Sequence, residues 1–270
     1  MPELPEVETT RRGLAPHVVG QHIIHLLVRE PRLRWPVPAE LPALVSGQPV
    51  LSLERRAKYL LFQLPNGYLL SHLGMSGSWR VLTEPAPLRT HDHLVITMSS
   101  GRELRYHDPR RFGCLLWTTE PDEHTLLRVL GPEPLADEFD GNYLFQRSRG
   151  KSAPIKTFLM DNHVVVGVGN IYAQEALFLA GIRPGIAAGR VTRARYQALA
   201  EIIRKVLSEA IQQGGTTLRD FVNSDGEPGY FAQQLRVYGR EGLPCHVCQT
   251  PIKSLKHANR TTSYCPQCQQ

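Results

Sequence analysis

The sequence predicts an α+β protein with two domains, and three features of the 270-residue chain carry that prediction. Short apolar or alternating runs, separated by Gly, Pro and Asn, occupy residues 23–118, as in a β-sandwich or barrel. From residue 155 onward the chain is predicted to be helical, with apolar residues at helical spacing over residues 199–210. Two Cys-x2-Cys pairs close the chain, a spacing that is typical of a small zinc-binding element.

Seven runs are the predicted strands: residues 23–28, 50–53, 59–64, 68–73, 93–98, 103–106 and 113–118. Pro65-Asn66-Gly67 and Ser99-Ser100-Gly101 are predicted turns between neighbouring strands. Residues 3–13 form a predicted helix that precedes the strands and ends at Gly13. Cys114 stands alone in an apolar run, and we expect it to be a buried core thiol.

The second half of the chain changes character at residues 131–152, where Pro, Gly and charged residues indicate a linker. Two predicted helices, 155–161 and 170–180, are joined by a glycine-rich turn whose backbone amides can face an anion at Asn170. Lys156 would deepen such an anion site, although a plain structural turn explains the glycines equally well. Thr192 can cap a third helix, which ends at Gly214-Gly215.

The composition is that of an ordinary globular protein, with 41% hydrophobic and 21% charged residues. The formal net charge of +6 and the pI of about 9.2 favour a polyanionic partner. No apolar run approaches the roughly 20 residues that span a bilayer, so we expect no membrane partner. The acidic N-terminus has no apolar signal core, which makes export unexpected and predicts a cytoplasmic protein.

The four clustered cysteines predict one structural Zn²⁺ per chain. Cys245, Cys248, Cys265 and Cys268 can supply four thiolates from two tight turns, which leaves no open position on the metal. Two disulfides are the alternative, but they require an oxidising compartment that the sequence does not indicate. Lys253, Lys256 and Arg260 lie between the cysteine pairs and suit a phosphate-binding hairpin.

The first residues, Met1-Pro2-Glu3, have a chemical and a structural interpretation. Removal of Met1 would give Pro2 a secondary amine, which forms an iminium ion with a sugar carbon and withdraws electrons from neighbouring bonds. Glu3 could then move protons. The alternative is that Pro2 only starts a helix, with acidic residues placed favourably at its N-terminus. Taken alone, these residues favour the structural interpretation.

Two glycine-flanked tips in the β region each hold a bulky side chain. Met75 lies in Leu73-Gly74-Met75-Ser76-Gly77, and Phe112 follows Arg110 in Asp108-Pro109-Arg110-Arg111-Phe112-Gly113. Apolar wedges can unstack bases, and an arginine can fill the space of an extruded nucleotide. For either residue alone, a position in the core is the simpler expectation.

Together these motifs resemble the bacterial formamidopyrimidine-DNA glycosylase family. The likeness rests on residues 2–8, 55–60, 72–77, 108–113 and 167–172 and on the four-cysteine element, and it extends from residue 2 to residue 269. It implies an N-terminal β-sandwich with flanking helices and a C-terminal helical helix–two-turn–helix domain with a zinc finger. The implied boundaries are 1–134 for the sandwich, 135–151 for a linker, 152–230 for the helical domain and 231–270 for the zinc finger.

The resemblance also implies a role for each matching residue. Pro2 would be the nucleophile and Glu3 the acid, while Glu6 would organise the site and Lys58 would contact phosphate near the lesion. Met75, Arg110 and Phe112 would fill the gap left by a flipped nucleotide. The other implied DNA contacts are His91, Asn170, Tyr238 and Arg260, and the anion site described above adds Lys156 as an expected DNA contact. Residues 216–230, beginning with Thr216 and Thr217, would form a loop over the extruded base.

The implied activity is base-excision repair by a bifunctional glycosylase and abasic-site lyase. Its partner would be duplex DNA with oxidised purines or abasic sites, and we expect a monomer in the cytoplasm, associated with the nucleoid. One alternative is an enzyme similar to endonuclease VIII, which removes oxidised pyrimidines, but Leu4 after Pro2-Glu3 favours the purine enzyme. The other alternative is a zinc-finger DNA-binding protein without catalysis.

Overall fold

The computed structural model describes residues 2–84, 86–215, 234–257 and 259–270. Within these ranges the chain divides into two compact units. Unit 1 comprises the residues up to Arg128 together with residues 213–215, and unit 2 comprises residues 129–212 and 234–270. The domain boundaries given above stay a prediction.

Unit 1 contains two antiparallel four-stranded sheets. One has the order β1-β6-β7-β5, from Ile23–Val28, Asp92–Met98, Glu103–His107 and Ser78–Leu82. The other has the order β2-β3-β4-β8, from Ser52–Arg56, Tyr59–Leu64, Gly67–His72 and Cys114–Thr118. Both sheets supply buried side chains to one hydrophobic cluster, in which Phe62, Leu69, Trp79 and Leu94 take part. The predicted β-sandwich is therefore confirmed, and both predicted turns join consecutive strands.

Helix α1 covers Leu4–Val18 and runs through Gly13, where the sequence predicted its end. That prediction was wrong because Leu14 and Val18 continue the buried stripe of the helix, and both are fully buried. The change of direction comes at Gly20 instead, whose φ of 78° lies in the left-handed region. A short helix α2, Leu41–Val45, and strand β5 were not predicted.

Unit 2 is built from helices α3 (Gly141–Ser148), α4 (Ile155–Leu159), α5 (Asn170–Leu179) and α6 (Arg193–Gln212). Helix α3 lies inside the segment predicted as a linker, so that interpretation of residues 141–148 was wrong. The Asp140 carboxylate accepts a hydrogen bond from the Tyr143 backbone at 2.7 Å, and Leu144 is fully buried. A good N-cap and one buried face thus form a helix despite the polar composition.

The zinc-finger segment forms the hairpin β9–β10, Lys253–His257 and Arg260–Tyr264. Phe178 of α5 and Val237 pack with Cys245, Ile252 and Cys265 in a small cluster of buried residues. In the described part of the chain, no helix combines the length and the apolar character needed to cross a membrane.

Candidate active site

The N-terminus of α1 buries two carboxyl groups beside Pro2. Pro2 is buried directly before the helix, and Glu3 and Glu6 are only 2% and 1% exposed. Glu6 Oε2 accepts a hydrogen bond from the Glu3 backbone N–H at 2.8 Å, so Glu6 fixes the backbone next to Pro2. The chain also passes close to Glu6 at Gly215, since a Cβ atom there would lie 3.0 Å from Glu6 Oε1. Residues 216–230, predicted to cover the lesion, lie outside the described residues.

Lys58 lies in the tight turn between β2 and β3, and it is 9% exposed. Arg55 ties this turn to α1, because its Nη1 donates to the Ala57 carbonyl at 2.9 Å while its Nε donates to Glu8 Oε2 at 3.2 Å. Ala57 has a φ of 55°, an uncommon conformation for alanine. Burial alone would raise the pKa of Glu8, but hydrogen bonds from Arg11 and Arg12 and the charge of Arg55 outweigh it and lower the pKa.

His72, at the end of β4, lies close enough to Lys58 and Arg34 for both positive charges to act on it. Burial, reinforced by the charges of Lys58 and Arg34, lowers the pKa of His72 to about 4. His72 is therefore neutral at neutral pH, and its Nδ1 accepts a hydrogen bond from the Gly74 backbone at 2.9 Å. The imidazole thus supports the tip that carries Met75 without adding charge.

The two predicted wedge tips present apolar side chains to solvent. Met75 is 36% exposed and Phe112 is 42% exposed, so neither is a core residue. The Arg110 guanidinium lies over the Phe112 ring, 4.9 Å from its centroid. This pairing keeps a cation and an aromatic ring together at the end of one loop.

In unit 2 a glycine turn precedes α5, as the sequence predicted, while anion binding at this turn stays a prediction. Gly167 takes a φ of 79° in the turn before α5, and Asn170 is the first residue of that helix. The Gln174 amide donates to Asn170 Oδ1 at 3.2 Å and to the Asn170 carbonyl at 2.7 Å. One carboxylate, Glu175, is fully buried and accepts hydrogen bonds from three consecutive backbone amides, including that of Tyr238 at 3.0 Å.

A cavity of about 540 Å³ lies between α4 and the zinc-finger hairpin, and its lining is strongly basic. The basic residues that line it are Arg147, Lys151, Lys156 and Arg260. Lys156 is 1% exposed, with its Nζ 2.7 Å from Thr262 Oγ1, so it supports strand β10 from inside. Arg260 is exposed at the start of that strand, where it can meet a phosphate.

The four cysteines fit a zinc ion. Their sulfur atoms all lie within 4.8 Å of one another, with Cys245 and Cys268 3.9 Å apart and Cys248 and Cys265 3.4 Å apart. A tetrahedral Zn²⁺ with bonds of about 2.3 Å has sulfur atoms roughly 3.8 Å apart, which agrees with these distances. The chain has one structural zinc site, as predicted, formed by the two Cys-x2-Cys turns that flank the β9–β10 hairpin.

Comparison with known proteins decides the family. Residues 1–115 match the formamidopyrimidine-DNA glycosylase N-terminal domain, residues 130–222 match the H2TH domain of that enzyme, and residues 242–270 match a zinc finger found in FPG and IleRS. The formamidopyrimidine-DNA glycosylase of Marinobacter nauticus is 59% identical over 270 residues, with 100% of both chains covered. The chain belongs to the formamidopyrimidine-DNA glycosylase family.

The structures of other members of the formamidopyrimidine-DNA glycosylase family agree with this membership. The Fpg protein of Thermus thermophilus is 42% identical with a TM-score of 0.89, and 99% of this chain and 98% of that one are covered. The Lactococcus lactis Fpg, solved with abasic-site DNA, is 35% identical with a TM-score of 0.91 and 99% coverage of each chain. The predicted fold class is confirmed for the N-terminal β-sandwich, for the helix–two-turn–helix domain and for the zinc finger.

Several buried polar residues that support the site were not singled out from the sequence. Glu8, Asp108, Gln174 and Glu175 each have a hydrogen-bond partner more than 30 positions away, which no local motif reveals. Glu8, Arg55 and Asp108 did fall inside recognised motifs, which was the available signal. Thr216 and Thr217, predicted in the loop over the lesion, lie outside the described residues.

Proposed function

We propose that this chain excises oxidised purines, chiefly 8-oxoguanine and formamidopyrimidines, from duplex DNA and then cleaves the strand at the abasic site. The observation that carries the proposal is the full-length match to formamidopyrimidine-DNA glycosylases, in a chain that keeps Pro2 and Glu3. The burial of Pro2, Glu3 and Glu6 at one helix terminus supports it, because such a site holds proton donors and acceptors away from bulk water.

The reaction begins when the Pro2 nitrogen, freed by removal of Met1, forms a bond to C1′ of the damaged nucleotide. The bond from C1′ to the base breaks, the base leaves with the electron pair, and it takes up the proton that the Pro2 nitrogen loses. Glu3 delivers a proton to O4′ as the sugar ring opens, which leaves an iminium ion between C1′ and Pro2. Because this ion is cationic at any pH, it acidifies the C2′ hydrogens.

Loss of a C2′ proton breaks the bond from C3′ to its phosphate oxygen, and a second elimination breaks the bond at C5′. The products are a gap with a phosphate at each end, an unsaturated sugar fragment, and the amine, which water releases from the imine. These steps use the Pro2 amine and the Glu3 carboxyl group, with Lys58 holding a phosphate near the lesion and Glu6 holding the Glu3 backbone.

The remaining site residues hold DNA. Met75, Arg110 and Phe112 fill the gap left by the extruded nucleotide, which offsets an unstacking cost of a few kcal/mol. His91, Asn170, Tyr238 and Arg260 contact phosphates, and Lys156 contributes by fixing the strand that begins at Arg260. The zinc ion, when bound, shapes the hairpin that carries Arg260. We place this activity in a monomer in the cytoplasm, at the nucleoid.

The test compares duplexes that contain 8-oxoguanine opposite cytosine with duplexes that contain thymine glycol. We expect faster excision of 8-oxoguanine, followed by strand cleavage that leaves phosphates at both ends. Preference for thymine glycol would instead support an enzyme similar to endonuclease VIII. Tight binding of both duplexes without any cleavage, by protein whose Met1 has been removed, would support a DNA-binding protein without catalysis.

A further inference from the structure

We propose that the Asp108 carboxylate, through its hydrogen bond to Ser76, holds the two wedge tips in a fixed position relative to each other. Asp108 and Ser76 are then positioning residues for opening the duplex. The wedge tips are residues 73–77, which carry Met75, and residues 108–113, which carry Arg110 and Phe112. This inference rests on the proposed function, because it assigns a cause to the rigidity that wedge insertion requires.

Asp108 is fully buried, and each of its carboxylate oxygens is bound to a wedge tip. Oδ1 accepts a hydrogen bond from the Ser76 hydroxyl at 2.7 Å, and Oδ2 accepts one from the Gly113 backbone at 2.9 Å. The Ser76 hydroxyl oxygen also lies 3.3 Å from the Arg110 backbone N–H, which donates to it. Bonds to a buried charge are worth more than neutral ones, so this carboxylate fastens the tips strongly.

The Tyr106 phenol packs closely against both tips. Its hydroxyl lies 3.3 Å from Asp108 Oδ2 and 3.2 Å from the His72 carbonyl. A Cβ atom added at Gly77 or Gly113 would lie 2.3 Å or 1.7 Å from that hydroxyl oxygen. The two glycines are therefore required by close approach, and the tips pack against a fixed phenol.

The first tip also touches the second directly. Gly74 has a φ of 65°, and a Cβ atom there would lie 2.3 Å from the Phe112 carbonyl carbon. Met75 and Phe112 are thus held on adjoining backbone, although both side chains remain exposed. An exposed apolar residue on a loose loop would lose conformational entropy when it entered a base stack, whereas a fixed one has already lost it.

The backbone of Asp108 extends the same support to a predicted phosphate contact. Its N–H donates to the His91 carbonyl at 3.1 Å, and its carbonyl lies 2.8 Å from His93 Nε2. One residue therefore sets the positions of Met75, His91, Arg110 and Phe112 relative to one another.

The test uses Ser76→Ala, which removes only the hydroxyl that joins Asp108 to the first tip. We expect kcat/KM for 8-oxoguanine excision from duplex DNA to fall about 10-fold. Strand cleavage at an abasic site in single-stranded DNA should stay within about twofold, because that substrate has no stack to open. Ser71→Ala is the matched control, since Ser71 is an equally buried serine whose hydroxyl accepts from Trp79 Nε1 at 2.9 Å instead of bonding to Asp108.

A double-mutant cycle with Phe112→Ala separates positioning from a general loss of stability. If Ser76 acts through the wedge, Ser76→Ala should add little to the excision defect of Phe112→Ala. Defects that multiply, an equal loss on both substrates, or no loss at all would each overturn the proposal. Wild-type protein that cleaves neither substrate would instead refute the proposed function on which the inference rests.

Discussion

Acidification is expected to destabilise unit 1 through His72. This histidine is held neutral, with its pKa lowered to about 4 by burial and by the charges of Lys58 and Arg34. Its Nδ1 accepts from the Gly74 N–H, a bond that protonation of that nitrogen would abolish. As the pH falls, the unfolded chain binds a proton near pH 6.5, whereas the folded chain resists until about pH 4. The neutral histidine's contribution is therefore fully present above pH 6.5 and is lost as the pH falls towards 4.

The size of this effect follows from the difference between the two pKa values. A gap of roughly 2.5 pH units, at about 1.4 kcal/mol per unit, sets an upper limit of roughly 3 to 4 kcal/mol. Between pH 7 and pH 4.5 the loss amounts to about 2 kcal/mol, since neither limit is reached in that interval. Carboxylates such as Glu8 and Asp92, whose pKa values are lowered, also reduce the free energy of unfolding as the pH falls. The contribution of His72 is therefore measured as a difference between wild type and a variant that lacks this histidine.

His72→Asn supplies that comparison, because its amide oxygen can accept from the Gly74 N–H but cannot titrate. Tryptophan fluorescence during urea unfolding reports on unit 1 alone, since Trp35, Trp79 and Trp117 all lie there. The stability difference between wild type and His72→Asn should shift by about 2 kcal/mol in favour of the variant on going from pH 7 to pH 4.5. His25→Asn, at an exposed position of β1, is the control. Parallel pH profiles for wild type and His72→Asn would refute the reasoning.

Three further predictions concern contacts away from His72. Cys248→Ser should abolish zinc binding and weaken DNA binding at least about 10-fold, while the fluorescence-detected melting of unit 1 stays unchanged; equal losses would mean that the finger supports the whole fold. Glu175→Gln should lower the urea concentration at which half of the zinc is released, and the free energy of unfolding the finger should fall by about 2 kcal/mol. The reason is that the new amide group would face one of the backbone N–H donors near Tyr238. An unchanged midpoint would contradict this. Arg55→Lys should speed amide exchange in the turn that holds Lys58 about 10-fold, since lysine cannot bond two partners in the guanidinium geometry; unchanged exchange would count against that link.

The parts of the fold that were predicted from sequence are those with a local signal. Alternation of apolar residues predicted the strands, Thr192 marked the start of α6, and cysteine spacing predicted the zinc site. Helix α1 was predicted too short because Gly13 is a common terminator, and only the tertiary burial of Leu14 and Val18 overrides it. Helix α3 was missed for a similar reason, since its stability comes from packing rather than from composition.

The support of the candidate site was much harder to predict. Arg55 meets Glu8 across 47 positions, Ser76 meets Asp108 across 32, and Glu175 meets Val237 across 62. Such pairs are set by the pairing of strands and helices, and a single sequence does not contain that pairing. Motif reasoning therefore located the residues that would meet DNA, and the structure adds the buried charges that hold them in place.

The central claim is that the Pro2 nitrogen becomes bonded to the sugar. Borohydride should reduce the resulting iminium ion and trap the protein on DNA that contains 8-oxoguanine or an abasic site. Peptide mapping by mass spectrometry then locates the bond. We predict that the adduct lies on the N-terminal peptide that begins with Pro2, and that protein retaining Met1 gives none. An adduct on Lys58, or trapping that survives Pro2→Gly unchanged, would contradict the account.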